Sequence, residues 1–110
     1  MVGAREELRD LVEKIDDAFQ SKVRLGIVAS LAGAGSLDFK GLKLKLGLSD
    51  GNLSSHLTFL ERRGFVRSER SFVSKKSHTE IFLTDEGLLA FQQYLDAIEA
   101  IVSSSRVGYA

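Results

Sequence analysis

The chain has 110 residues, 44% hydrophobic and 27% charged, which suits one globular domain and excludes a disordered segment or a second large core. It contains no Cys, so disulfides, thiol catalysis and cysteine metal sites are excluded, and its two His supply at most a fragment of a metal site. The net charge of zero hides an asymmetry: residues 1–17 carry −3, residues 18–79 carry +7 and residues 80–110 carry −4, so only the middle of the chain suits a polyanionic partner.

Leu8, Leu11, Val12, Ile15 and Phe19 recur at helical spacing and predict an amphipathic first helix over 5–19. Ser21 reads as the cap of a second helix over 22–32, ended by Gly33-Ala34-Gly35. A short extended piece at Ser36-Leu37 follows. Asp38 then caps a third helix over 39–46, closed by Gly47, and Leu37 and Leu42 stand at the spacing of a hydrophobic staple. Ser49 caps a fourth helix over 50–63 with Leu48 and Leu53 as its staple, and Gly64 reads as its C-cap. Two short helices joined by so brief a turn make a helix-turn-helix over 39–63.

The period then shifts from 3.6 to 2. Residues 65–73 and 79–83 read as the strands of a hairpin, with the polar, basic turn Ser74-Lys75-Lys76-Ser77 between them. Thr84 caps a last helix over 85–103, stapled by Leu83 and Leu88, and the closing SSSRVGYA is expected to fray. The fold class is therefore α+β: a winged helix-turn-helix, with a helical core, a β-hairpin wing over 65–83 and extra N- and C-terminal helices, forming one domain over 1–110. No apolar run approaches the roughly 18 residues of a membrane span, and MVGAREELRD is acidic where a secretory signal is basic, so the cytoplasm is the expected compartment.

The fourth helix turns Leu53, Leu57 and Leu60 one way and its small polar residues the other. A major groove admits a helix whose side chains donate to and accept from base edges. Asp50, Gly51, Asn52, Ser54, Ser55, Thr58 and Arg62 are the candidates for that role, the two small residues Gly51 and Ser54 allowing close approach. Candidate backbone or wing contacts are Lys40, Lys43, Lys45, Ser49, His56, Arg67, Arg70, Lys75 and Lys76. Arg67 and Arg70 face opposite sides of their strand, so one of the two looks toward DNA. His56 lies on the flank of the leucine face, where a partly buried role competes with a phosphate contact. His78 sits beside the wing tip, and nothing in the sequence marks it as a sensor. Phe59 stands where a polar residue is expected, and packing against the hairpin or the third helix is its expected use.

An enzyme is not expected. Asp16-Asp17, Glu6-Glu7 and Asp85-Glu86 are adjacent pairs whose members do not share a helical face. Ser36, Ser49 and Ser54 lack a histidine–acid partnership, and Gly33-Ala34-Gly35-Ser36 lacks the Lys and the strand context of a phosphate loop. No cofactor and no metal are expected. The terminal helices carry more apolar surface than one thin partner covers, which favours a homodimer through Leu8, Leu11, Ile15, Phe91, Tyr94, Leu95, Ile98, Ile101 and Val102.

The run VRLGIVASLAG, then FKGLKLKLGLSDGNLSSHLTFLERRGFV, a basic hairpin and TEIFLTDEGLLAFQQYL resembles the small winged-helix transcriptional regulators related to the MarR and ArsR groups. The resemblance covers about residues 20–96, with LGLSDGNLSSHLTFLERRGFV its most specific part. It implies that the helix after LGLS, beginning Asp50-Gly51-Asn52-Leu53-Ser54-Ser55-His56-Leu57, reads the major groove. It also implies that residues 71–79 form a wing touching the backbone or minor groove, and that the terminal helices dimerise. Relatives often carry a His and a Pro shortly before the Arg of VRL, where this chain has Phe19 or Gln20 and Lys22. Metal-sensing relatives use cysteines or histidine–carboxylate clusters, which this chain lacks. The expected partners are double-stranded DNA and a second copy of the chain, with room for a small-molecule effector between the dimer helices and the core. The expected function is sequence-specific regulation of transcription, most often repression. The rivals are a winged-helix module that joins proteins and a nonspecific architectural DNA-binding protein.

Overall fold

A computed structural model describes residues 4–105. In chain order the elements are α1 (Ala4–Glu13), a 3-10 turn (Asp17–Gln20), α2 (Lys22–Ala34), β1 (Ser36–Asp38), α3 (Phe39–Leu46), α4 (Asp50–Arg62), β2 (Val66–Val73), β3 (Lys76–Leu83) and α5 (Asp85–Ser105). The strands form one antiparallel sheet in the order β1-β3-β2.

Local chemistry fixes most of the boundaries. The side chain of Ser21 accepts from Arg24 N, that of Asp38 from Gly41 N and that of Ser49 from Asn52 N, so each helix start has one orphan donor satisfied. Thr84 does the same for Gly87 N at 2.9 Å, and its hydroxyl donates to Gly64 O at 2.6 Å, tying the start of α5 to the end of α4. Gly47 closes α3 at φ 64°, a left-handed conformation that glycine adopts without steric penalty.

The core sits under α2, which contributes Ile27, Val28 and Leu31. Leu42 of α3, Leu53, Leu57 and Leu60 of α4, and Phe65, Val66 and Ile81 from the sheet side complete it. These are the apolar positions spaced for burial in the sequence, and α4 is held by the leucine face that leaves its polar face free.

Several expectations are corrected. The first helix does not run over 5–19: α1 ends at Glu13, and Asp16 is extended (φ −66°, ψ 140°), with its side chain accepting from Ala18 N. The reason is Phe19, which must leave the axis of α1 to enter the core, where its ring lies 4.9 Å from Tyr94 and 6.1 Å from Phe65. The second helix continues through Gly33 to Ala34, and Gly35 at φ 83° ends it. The hairpin turn is the pair Ser74-Lys75, both at positive φ, so Lys76 and Ser77 belong to β3. Phe59 packs against the core cluster and under Arg24 of α2, whose guanidinium carbon is 3.9 Å from the ring centre, a partner its position in the sequence did not indicate. Helix α5 also extends to Ser105, so Ser104 and Ser105 are helical, while 106–110 lie outside the described residues.

The described molecule measures 62 × 25 × 22 Å, and its radius of gyration of 17.0 Å exceeds the about 13 Å of a compact domain this long. The 21-residue α5 packs along α1, while β2 and β3 project as a two-stranded ribbon.

Candidate nucleic-acid interface

Ser49 stops the chain from continuing α3 into α4 as one helix: its side chain caps Asn52 N at 3.1 Å, and the first intrahelical bond runs from Leu53 N to Ser49 O. With Leu53, Leu57 and Leu60 buried, the opposite side of α4 presents Gly51, Asn52, Ser54, Ser55, Thr58 and Arg62, all exposed. A Cβ added to Gly51 would meet nothing within 4 Å, so the fold itself does not require glycine there. Thr58 Oγ1 donates to Ser54 O at 2.9 Å, which fixes its rotamer and leaves its oxygen as an acceptor. Asp50, the acid on this side, is bridged at 2.8 Å by Lys43 from the preceding helix. That pair removes Lys43 from the free cations and neutralises the carboxylate nearest the helix start.

The wing faces this helix across a cleft of about 510 Å³. Ser54, Thr58 and Glu61 of α4 line one wall, and Ser68, Arg70 and Ser77 of the hairpin line the other. Strand pairing decides which arginine looks in. Arg70 is opposite Thr79 and shares the cleft face, whereas Arg67 is opposite Phe82 on the other face. Arg67 lies over the Phe82 ring at 4.2 Å and pairs with Glu69. Lys40 lines the cleft from α3, Lys45 is exposed in the last turn of the same helix, and Lys75 and Lys76 stand exposed at the wing tip.

Two residues missed in the sequence belong to this cleft. Ser68 lies two positions before Arg70, so the period of the strand carried that signal. Glu61 lies three positions after Thr58, and the period of the helix carried that one. The Ser68 hydroxyl donates to Glu61 Oε1 at 3.4 Å, so the cleft, which Asp38 also lines, holds acids among its polar groups.

His56 takes the partly buried place that its position on the flank of the leucine face suggested. His56 is half-buried, with Nδ1 3.5 Å from Arg24 Nη1. Burial first, and the Arg24 charge second, hold its pKa below the ordinary imidazole value. Arginine can only donate, so Nδ1 accepts and Nε2 carries the proton of the neutral ring. His78 lies beside the wing turn, two residues into β3, with Nε2 2.9 Å from Glu80 Oε1. Ser36 donates to the other oxygen of Glu80 at 2.7 Å, and these two hydrogen bonds, Ser36 first, hold the Glu80 carboxyl below its ordinary range.

The residues singled out on the terminal helices divide. Phe91 and Tyr94 turn inward onto Phe19, at 6.0 and 4.9 Å between ring centres. Leu11, Ile15, Ile98 and Ile101 are half-buried, while Leu8, Leu95 and Val102 are exposed together with Val12, Leu88 and Leu89. Among the described residues no helix is long and apolar enough to cross a membrane, and no group of three or more His, Cys, Asp or Glu is placed to hold a metal ion.

A family model described as a winged helix DNA-binding domain matches residues 23–102. An uncharacterized protein of Methanocaldococcus jannaschii is 43% identical over 77 residues, which cover 70% of this chain and 84% of that protein. The solved structure of a transcriptional regulator homologue from Pyrococcus horikoshii is similar with a TM-score of 0.81 at 27% identity, over 93% of this chain and 99% of that one. A MarR family transcriptional regulator from Streptomyces coelicolor, solved in complex with DNA, shares the fold with a TM-score of 0.63 at 24% identity, over 94% of this chain and 72% of its own.

Proposed function

The chain belongs to the winged helix DNA-binding domain family of transcriptional regulators, and from that premise we propose that it is a homodimeric, sequence-specific duplex-DNA binder that acts in the cytoplasm and represses transcription by occluding promoters. One observation carries the reading: Ser54 and Thr58, at the edge of the exposed polar side of α4, and the cation Arg70 open onto the same cleft, so a helix entering a major groove brings the wing to the neighbouring backbone. Asn52, Ser54, Ser55 and Thr58 read base edges. Arg62, Lys40, Lys45, Arg70, Lys75 and Lys76 meet phosphates, which supplies affinity and salt dependence. Lys43 serves through Asp50, orienting the start of the helix. Arg67, committed to Phe82 and Glu69 on the far face, takes no part.

The exposed apolar residues of α1 and α5 support a two-fold interface between copies. Such symmetry sets two reading helices about 34 Å apart, one turn of the duplex. The test is selection of genomic DNA fragments by the purified full chain, with sedimentation in parallel. Palindromic sites with half-sites one turn apart, bound by a dimer, are the expected result. Equal binding to selected and scrambled duplexes across a salt series overturns sequence specificity.

A further inference from the structure

Phe72 is 75% exposed, more than any other large apolar side chain among the described residues, and Val73 beside it is 59% exposed. Both lie at the end of the wing, just before the turn Ser74-Lys75. Across the ladder Phe72 faces Ser77, too small to cover a ring. The β-preference of this strand is met by Val or Thr as well as by Phe, so local structure does not account for an aromatic ring held in water.

Its surroundings indicate what covers it. Phe72 shares a strand face with Ser68 and Arg70, both on the wall of the cleft that α4 lines from the other side. Residues 70–79 contain Arg70, Lys75 and Lys76 and no acid. An apolar ring with Arg70 on its own face and Lys75 and Lys76 at the adjoining turn, on the face continuous with the reading helix, matches an apolar slot bordered by anions, which is the floor of a minor groove between its two phosphate rows.

Resting on the DNA-binding reading above, we propose that Phe72 is a wedge: the wing tip enters the minor groove, Lys75 and Lys76 engage the flanking phosphates, and the Phe72 ring inserts at a base step and bends the duplex. An ordinary minor groove is about 6 Å wide, too narrow for a ring backed by two strands about 4.8 Å apart, so insertion must open the groove and partly unstack a step. Pyrimidine–purine steps, TA and CA, yield most readily. The wing thereby adds specificity through deformability at a position where no side chain hydrogen-bonds to a base.

The experiment uses the purified full chain and a 30-base-pair duplex of about the length of one site, recovered by fragment selection. Affinity is measured by titration and bending by circularly permuted gel mobility. Wild type is expected to bend the duplex by about 20–90°. F72S is expected to keep its far-UV dichroism, lose roughly tenfold in affinity, lose the bend and lose the preference for TA or CA at the wing position. F72L restores bend and preference, and K75A/K76A weakens binding while the bend persists. F72S that binds and bends as wild type overturns the wedge and leaves the DNA reading standing. F72S that instead changes the oligomeric state makes Phe72 a contact between copies and also overturns the wedge. Wild type that binds no duplex overturns the parent reading itself.

Discussion

The guanidinium of Arg24 lies over the Phe59 ring, 3.9 Å from carbon to ring centre. Its Nε donates to Ala18 O at 3.0 Å and its Nη2 to Asp17 O at 3.1 Å. One side chain of α2 thus clamps the 3-10 turn on one side and α4 on the other, and Phe59, at a position expected to be polar, is its platform. Arg24→Ala is expected to destabilise the fold by about 2 kcal/mol, through two lost backbone hydrogen bonds and the lost stacking contact. Arg24→Lys is expected to recover less than half, because an ammonium cannot lie flat on a ring and reach two carbonyls together. Urea midpoints at unchanged slope measure both.

The same clamp makes stability pH-dependent. His56 is held neutral by burial and by Arg24, so its folded pKa lies below the unfolded value of about 6.5. As pH falls through 6.5 the unfolded chain takes up the proton and the folded chain does not, so stability is lost on the acid side and regained above. The melting temperature is expected to fall between pH 7.5 and 5.5, and His56→Gln should flatten that slope. A separate loss, from Glu80 with its depressed pKa, begins only as pH drops below about 4.5 and is unaffected by the His56 substitution.

Two glycines should behave in opposite ways. A Cβ at Gly87 would sit 2.2 Å from Phe65 O and 2.7 Å from Leu83 Cδ1, so Gly87→Ala forces α5 away from the sheet and is expected to destabilise by about 3 kcal/mol. Gly51→Ala meets open space and is expected to raise stability by about 0.5 kcal/mol while weakening duplex binding, since the added methyl stands where the groove floor approaches. Thermal melts and duplex titrations of both variants check the contrast.

Replacing Lys75 and Lys76 together with Ala is expected to weaken all duplexes alike and to lower the slope of log affinity against log salt by about 2, one phosphate each. Thr58→Ala, with its hydroxyl held on Ser54 O and its oxygen facing the cleft, should leave that slope unchanged and alter base preference instead. A salt series on selected and scrambled duplexes separates the two effects.

The wing turn carries strain that a better turn sequence removes. Ser74 at φ 52° and Lys75 at φ 66° occupy the left-handed region in a two-residue loop where Asn-Gly is preferred. The double variant S74N/K75G is expected to gain about 1 kcal/mol, or roughly 4 °C in melting temperature, while losing duplex affinity with the Lys75 cation. Calorimetry and titration on the same protein measure the exchange.

The family resemblance, the helix-turn-helix and the hairpin were legible because their signals are local. The side chains of Ser21, Asp38, Ser49 and Thr84 satisfy backbone donors three residues away, and the leucines of α4 follow one period. The break at Asp16 was not legible, because the apolar stripe keeps its spacing through Phe19 whether or not the axis bends. What bends it is the aromatic cluster of Phe65, Phe91 and Tyr94, which lies 46 to 75 positions away.

By itself, then, the sequence determined most of the segments that become helix or strand, though not the break at Asp16, and that the polar side of α4 is left uncovered, since periodicity and capping act over a few residues. Only the tertiary structure decided that Arg70 faces α4 while Arg67 is bound to Phe82, that Lys43 is held by Asp50, and that His56 and Phe59 belong to Arg24. Which cation is free and which is paired depends on distances between elements, and those distances are set by how the whole core packs.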